Sequence, residues 1–162
     1  MKRIILLLIT IISLGSLTKA QVAEHSIGLR FGSGDGLGTE ISYQHGLGSF
    51  NRLEFDLGFS SSRATSNYYN SWSFTGLYHW MWKLDKQLYW YAGPGGRIGG
   101  WSYDQNYNHS YNNGMFLVAA GDLGIEYVFP VGIQVALDAR PEIGLINHGS
   151  GINVGFAVRY QF

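Results

Sequence analysis

The sequence predicts an all-β chain in which eight antiparallel strands close into an up-and-down transmembrane β-barrel. Apolar and polar side chains alternate with a period of two from residue 24 to the end of the chain, a pattern typical of strands and not of helices. Charged residues make up only 14% of the 162 residues, whereas soluble domains average about 25%. The alternation also sets an apolar face against an Arg-rich charged face, which favours a barrel in a membrane.

The first twenty residues predict a secretory signal peptide. Lys2 and Arg3 precede an apolar run that ends at Leu17, and Thr18-Lys19-Ala20 provides a small-residue cleavage site. The run is shorter than the roughly 20 residues of a spanning helix. We therefore expect domain boundaries at 1–20 for the signal and 21–162 for the barrel. The exported part has no Cys and carries 8 basic against 11 acidic residues, a formal net charge of −3. No nucleic-acid partner is expected.

The alternating stretches define the strands in order. In the third strand, Leu53, Phe55, Leu57 and Phe59 oppose the polar side chains between them, and the last strand has an equally clear apolar face. The eight predicted strands are 24–32, 37–45, 51–60, 71–82, 88–101, 114–129, 132–146 and 151–162.

The connections differ in character along the chain. Those after the second, fourth and sixth strands are compact, whereas residues 61–70 and 102–113 form long polar segments rich in Ser, Asn and Tyr. We expect the compact turns and both termini to face the periplasm. The two long segments are expected to face outside as loops.

The charged face is predicted to line the barrel lumen. Apart from Lys83 and Lys86 in one turn, the exported part has no Lys, and its strand cations are all Arg. Arg pairs bidentately with carboxylates, and an eight-stranded barrel has an interior only wide enough for side chains. The predicted structural ion network comprises Arg30, Glu40, Arg52, Glu54, Asp56, Arg97, Asp122, Glu126, Asp138, Arg140, Glu142 and Arg159.

Aromatic residues gather near both ends of the predicted strands, as the two membrane–water interfaces select. One group comprises Trp80, Trp82, Trp90, Tyr127, Phe129, Tyr160 and Phe162, and the other comprises Phe31, Phe59, Trp72 and Trp101. Leu, Ile, Val, Ala and Gly lie between them.

The last strand carries the most specific motif. Asn153-x-Gly155-x-x-Val158-x-Tyr160, followed by Phe162 at the end of the chain, looks like the C-terminal signal read by the barrel assembly machinery. With the alternation over the exported part, it resembles the small eight-stranded outer-membrane barrels of Gram-negative bacteria, of the OmpA and OmpX type. The stretches 91–97, 124–129 and 137–141 also look like small barrel proteins common in Bacteroidetes.

The resemblance implies a location in the cell outer membrane. It also implies outer-membrane lipid and lipopolysaccharide as partners, with the barrel assembly machinery acting during insertion. Members of such families differ in activity. We expect a structural or surface-interaction role with a plugged lumen. The alternatives are a surface adhesin or ligand-binding barrel, a small-molecule transporter, or a lipid A-modifying enzyme. The alternative fold is a secreted lipocalin-like binder.

The outward loops are the predicted place for binding an extracellular ligand. Tyr side chains interleaved with Asn and Ser bind sugars or proteins at modest ordering cost. The candidate binding residues are Tyr68, Tyr69, Tyr103, Tyr107 and Tyr111.

Catalytic and metal chemistry have little support in the sequence. Nucleophile and base candidates are His148 with Ser150, and His79 with Ser73 or Thr75, and we expect none of them to be catalytic. The five His residues are scattered along the chain without metal-ligand spacing. No metal and no cofactor are therefore expected.

Overall fold

Eight strands form a single closed antiparallel barrel in the computed structural model, which describes residues 23–33, 38–64, 67–103 and 113–162. Each strand pairs with its neighbours in the chain, and β1 closes the barrel against β8. The strands are β1 His25–Gly32, β2 Thr39–Gly46, β3 Asn51–Ala64, β4 Asn67–Lys83, β5 Leu88–Tyr103, β6 Gly114–Val128, β7 Ile133–Ile146 and β8 Gly151–Gln161. The predicted fold class is confirmed. The predicted signal peptide lies outside the described residues, within which no helix has the length and apolarity to cross a membrane.

The two faces of the wall have opposite character. Among the described residues, twenty polar or charged side chains are buried against only eight hydrophobic ones, while large apolar side chains from every strand are exposed on the outside. Ile152, for example, is 70% exposed and its neighbour Asn153 is 6% exposed. A lipocalin-like binder needs an apolar interior, so this alternative fold does not describe the chain.

Compact turns join the strands at one end of the barrel, at residues 47–50, 84–87 and 129–132. In the last of these, Gly132 has a φ of +83°, and its N–H donates to the Phe129 carbonyl oxygen over 3.0 Å. Gly accepts this left-handed conformation without steric cost. We call this end the short-turn end and the other the long-loop end.

At the long-loop end the prediction of a loop at residues 61–70 is wrong. β3 and β4 stay paired through Ser62↔Tyr69 to Ala64↔Asn67, which leaves only residues 65–66 between them. β2 pairs with β3 only as far as Glu40↔Gly58, so this hairpin extends beyond its β2 neighbour. Its side chains are polar at successive positions, so the sequence lacks the alternation that marks a half-apolar strand, although backbone pairing continues.

Candidate functional site

All twelve residues of the predicted ion network are buried inside the barrel. Seven are carboxylates and five are Arg, and they come from seven of the eight strands. Several pairs join strands that are not neighbours in the wall, so the side chains cross the lumen. Charged side chains from many strands therefore occupy the interior, and we call these twelve residues the lumen network.

Arg140 on β7 is the centre of the lumen network. Its Nη2 lies 2.5 Å from Glu54 Oε1, and its Nη1 lies 2.7 Å from Asp56 Oδ2, both on β3 across the lumen. Three further carboxylates lie 3.6–3.7 Å from the same guanidinium, those of Glu40, Asp122 and Asp138. One cation thus faces five carboxylates, and its removal would leave them facing each other.

Glu54 is the best-bonded carboxylate in this set. Besides Arg140, its Oε1 accepts from Arg159 Nη2 over 2.8 Å, and its Oε2 accepts from Gln44 Nε2 over 2.5 Å. Arg159 Nε in turn donates to Ser42 Oγ over 2.8 Å. The carboxylate is held by donors from β2, β7 and β8, which links three parts of the wall to β3.

A second cluster surrounds Arg52. Its Nη1 lies 2.5 Å from Glu126 Oε2, and its Nε donates to His79 Nδ1 over 3.2 Å. The guanidinium carbon lies 4.5 Å from the ring centroid of Tyr91, within cation–π range. The other ring nitrogen of His79, Nε2, lies 2.9 Å from Asp122 Oδ2.

Arg30 fills a space that an inward-facing glycine leaves open. Its Nε lies 3.1 Å from each oxygen of Asp138, and Nη2 also contacts Asp138. Its Nη1 donates to Glu40 Oε2 over 3.0 Å, and its Nη2 donates to Asn153 Oδ1 over 3.1 Å. A Cβ atom on Gly155 would lie 2.3 Å from Arg30 Nη2, so this position must remain Gly while Arg30 keeps its place.

Amide side chains replace charges at the short-turn end. Gln134 Nε2 bridges Glu126 Oε2 at 2.6 Å and Gln44 Oε1 at 3.1 Å, and Ser26 Oγ also donates to Gln44. A cavity of about 40 Å³ opens here, bordered by Arg52 and Glu126 as well as these amides. It has room for about one water molecule and is far below the 300–1,000 Å³ of small-molecule sites.

At the long-loop end an aromatic group adjoins an ion pair. Arg97 Nη2 donates to Glu142 Oε2 over 2.8 Å and lies 3.2 Å from His148 Nε2. Phe116 stacks on His148 and on Trp101, with ring centroids 5.2 Å and 6.3 Å apart. The placement of Trp101 in an outer aromatic belt is wrong, because its position on β5 shares the inward parity of Arg97.

The catalytic candidates do not form nucleophile–base pairs in the described part of the chain. Ser73, Thr75 and His79 all face inward on β4, but the two hydroxyls have no hydrogen-bond partner there. Thr75 and His79 are four residues apart, about 13 Å along a strand. His148 Nε2 faces Arg97 and Glu142, whereas Ser150 is exposed in the turn.

The residues of the predicted assembly signal divide between the two faces of β8. Asn153 and Gly155 face inward beside Arg30, whereas Val158, Tyr160 and Phe162 are exposed outside. Of the loop candidates, Tyr68 and Tyr69 lie within β4 and Tyr103 ends β5. Tyr107 and Tyr111 lie outside the described residues.

Some members of the interior were not singled out from the sequence. Gln44, Gln134 and Tyr91 contact the lumen network, although none of the three was among the predicted interior residues. Their inward parity along β2, β7 and β5 was the available signal. No cluster of three or more His, Cys, Asp or Glu residues suited to a metal ion occurs in the described ranges.

Comparison with known proteins finds likeness only at the level of structure. No known protein family matches the chain, and no curated protein sequence does either. The attachment invasion locus protein Ail of Yersinia pestis superposes with a TM-score of 0.57 at 9% identity, over 85% of this chain and 96% of Ail. Neisserial surface protein A gives a TM-score of 0.56 at 16% identity, over 85% and 94%. Ail in a phospholipid bilayer nanodisc, described as an outer membrane protein, gives 0.54 at 10% identity, over 87% and 100%. The shared feature is the barrel fold.

Proposed function

We propose that the chain is an integral outer-membrane protein with a plugged lumen and a structural or surface-interaction role. The observation that carries this proposal is the inverted wall, apolar outside and charged inside. In water, such a surface would expose apolar side chains around the whole barrel, whereas a bilayer covers them. Export by the predicted signal at 1–20, insertion by the barrel assembly machinery, and contact with outer-membrane lipid and lipopolysaccharide belong to the same proposal.

The height of the apolar band supports the membrane setting. On β4, Trp72 and Trp82 both face outward and are separated by ten residues. At about 3.3 Å per residue and a strand tilt of about 40°, they stand about 25 Å apart along the barrel axis. This equals the apolar height typical of outer-membrane barrels, about 25 Å between aromatic girdles. Trp82 also stacks on Trp90 of β5 with centroids 4.2 Å apart.

Heat modifiability tests the location and the closed barrel together. The mature chain extracted from the outer-membrane fraction should migrate faster in a detergent gel when it is not boiled. The comparison variant is Arg140→Leu, which removes the centre of the lumen network. It should lose the fast-migrating, folded form at a lower temperature than the wild type. Soluble periplasmic protein with no shift would overturn the membrane proposal.

A plugged lumen argues against transport through the barrel. The ion pairs of Arg140 with Glu54 and of Arg52 with Glu126 cross the interior, so a wide path would require several buried charges to separate. Purified protein in a planar bilayer should show no stable conductance steps. Reproducible single-channel steps would replace this proposal with the transporter alternative.

The strands that extend furthest at the long-loop end favour a surface-interaction role. The β3–β4 hairpin continues beyond the last pair between β2 and β3, and β5 pairs with β4 as far as Tyr69↔Tyr103. These strands carry three of the candidate Tyr residues. Deleting residues 104–112 and, separately, changing Tyr68 and Tyr69 to Ser should lower attachment of expressing cells to host or sugar-coated surfaces. The control is an unchanged heat shift on gels. If both variants attach as well as the wild type, the surface-interaction role is refuted and the structural role remains.

The proposal includes no catalysis, because neither candidate pair has a nucleophile beside its base. Expression of the chain should leave the mass of lipid A unchanged. A mass shift that disappears in Ser150→Ala would establish the enzyme alternative.

A further inference from the structure

Three potential donor atoms meet on the outer face of the barrel near the short-turn end. His25 on β1 and His45 on β2 are directly opposite residues in the strand register. Their ring centroids are 5.1 Å apart, and their Nδ1 atoms are 3.4 Å apart. The Tyr43 hydroxyl lies 2.8 Å from the same Nδ1 of His25. All three side chains are half-buried, so they are accessible from the surface.

A single hydrogen bond can use only one of the two contacts that His25 Nδ1 makes. A neutral imidazole nitrogen has either one proton or one lone pair to offer, yet His25 Nδ1 is contacted by both a hydroxyl and a second imidazole nitrogen. A protonated pair would place two positive rings in contact. A metal ion between the three atoms would instead accept a lone pair from each of them.

The distance between the imidazoles fits tetrahedral zinc. With Zn–N bonds of about 2.0–2.1 Å, two ligands of a tetrahedral ion lie about 3.3–3.4 Å apart, and the Nδ1 atoms are separated by 3.4 Å. The Tyr43 oxygen is at hydrogen-bond distance from His25 Nδ1, 2.8 Å, so it would move away from that nitrogen by about 0.5 Å on binding the ion. The far nitrogen of His25, Nε2, lies 3.9 Å from Glu24 Oε1. This is beyond hydrogen-bond distance, so Glu24 would have to move closer to orient the ring as the outer carboxylate partner of a metal-binding His usually does.

We propose that His25, His45 and Tyr43 bind a zinc ion through two imidazole nitrogens and the phenol oxygen, with the fourth position open to water. The sequence alone predicts no metal site, because the five His residues are far apart in the chain. The β1–β2 register brings two of them together across twenty residues of sequence. The site does not depend on the lumen network, and its test is independent of the membrane location.

Zinc binding is tested by calorimetry on the folded mature chain in detergent micelles. The chain must be untagged, because a polyhistidine tag binds the same ion, and the buffer must not chelate zinc. We expect saturable binding of one Zn²⁺ per chain and no binding of Mg²⁺, which prefers oxygen ligands. His25→Gln and His45→Gln should each abolish the saturable signal, and Tyr43→Phe should weaken it.

His148→Gln is the matched control, because His148 lies at the opposite end of the barrel, and it should bind zinc like the wild type. Each variant must first show the wild-type heat shift on a gel. Absence of zinc binding by the wild type would overturn the proposal, and so would unchanged binding by the His25→Gln/His45→Gln double variant. If a variant does not fold, copper titrated into the wild type decides instead. Its electron paramagnetic resonance spectrum should report two imidazole nitrogens, and fewer than two would refute the site.

Discussion

Arg140→Leu should be among the most destabilising single substitutions in the lumen. The guanidinium lies 2.7 Å from Asp56 Oδ2 and 2.5 Å from Glu54 Oε1. Glu54 keeps Arg159 and Gln44 as partners after the substitution, whereas no other ion pair to Asp56 is present among the described residues. The cost therefore falls mainly on Asp56. Leaving a buried charge without its partner costs about 3–5 kcal/mol, and we expect a loss in that range.

The assay is urea unfolding of the chain folded into lipid vesicles, followed by tryptophan fluorescence and extrapolated linearly to zero denaturant. Two matched variants separate the ion pair from general damage. Arg140→Leu/Asp56→Leu should recover part of the loss, because it removes the carboxylate that has no other ion pair among the described residues, while four carboxylates still lack Arg140. Lys86→Ala, at an exposed turn, should change stability by less than about 0.5 kcal/mol. An Arg140→Leu barrel as stable as the wild type would refute the reasoning.

Three further outcomes follow from the packing of the interior. Gly155→Ala should cost about 1–3 kcal/mol by overpacking against Arg30, because the new Cβ would lie 2.3 Å from Nη2. Gly149→Ala is the control, since nothing lies within 4 Å of its Cβ position. Equal unfolding midpoints for the two variants would show that Arg30 does not require a glycine at position 155. Tyr91→Phe should change stability by less than about 1 kcal/mol, because the buried hydroxyl has no hydrogen-bond partner in the described ranges and the ring keeps its contact with Arg52. A loss of stability above about 2 kcal/mol would contradict this expectation, because it would show that the Tyr91 hydroxyl makes a stabilising hydrogen bond. Planar bilayers with the wild type should stay silent, and stable steps would show that the plug is incomplete.

Parity along each strand is what made the barrel predictable. A residue on a strand faces the opposite side from its neighbour, so Arg30, Arg97 and Arg140 could be assigned to the charged face from sequence alone. Their pairings could not be predicted. The contact between Arg140 and Glu54 joins β7 to β3 across the lumen, and its geometry depends on the stagger of strands that are far apart in the wall.

Loss of alternation explains the errors at the long-loop end. Residues 61–70 were expected to be a loop because polar side chains occupy both parities there, yet Ser61↔Asn70 and Ala64↔Asn67 remain paired. Backbone hydrogen bonds between two strands do not require an apolar face, so polar side chains at both parities do not by themselves indicate a loop. Trp101 was misplaced for a related reason. Aromatic composition suggested a belt, but the side chain stacks on inward-facing Phe116.

The glycines inside the barrel decide what the lumen can do. An eight-stranded barrel has space for side chains and little more, and five Arg side chains fit only where facing positions are small. A Cβ on Gly124 would lie 2.3 Å from the Tyr91 ring, as one on Gly155 would from Arg30. The open volume at these two glycines is occupied by the Tyr91 ring and the Arg30 side chain. With the lumen plugged as proposed, we expect selective recognition to use the outer surfaces of the barrel, where the β3–β4 hairpin and the His25–His45 pair lie at opposite ends.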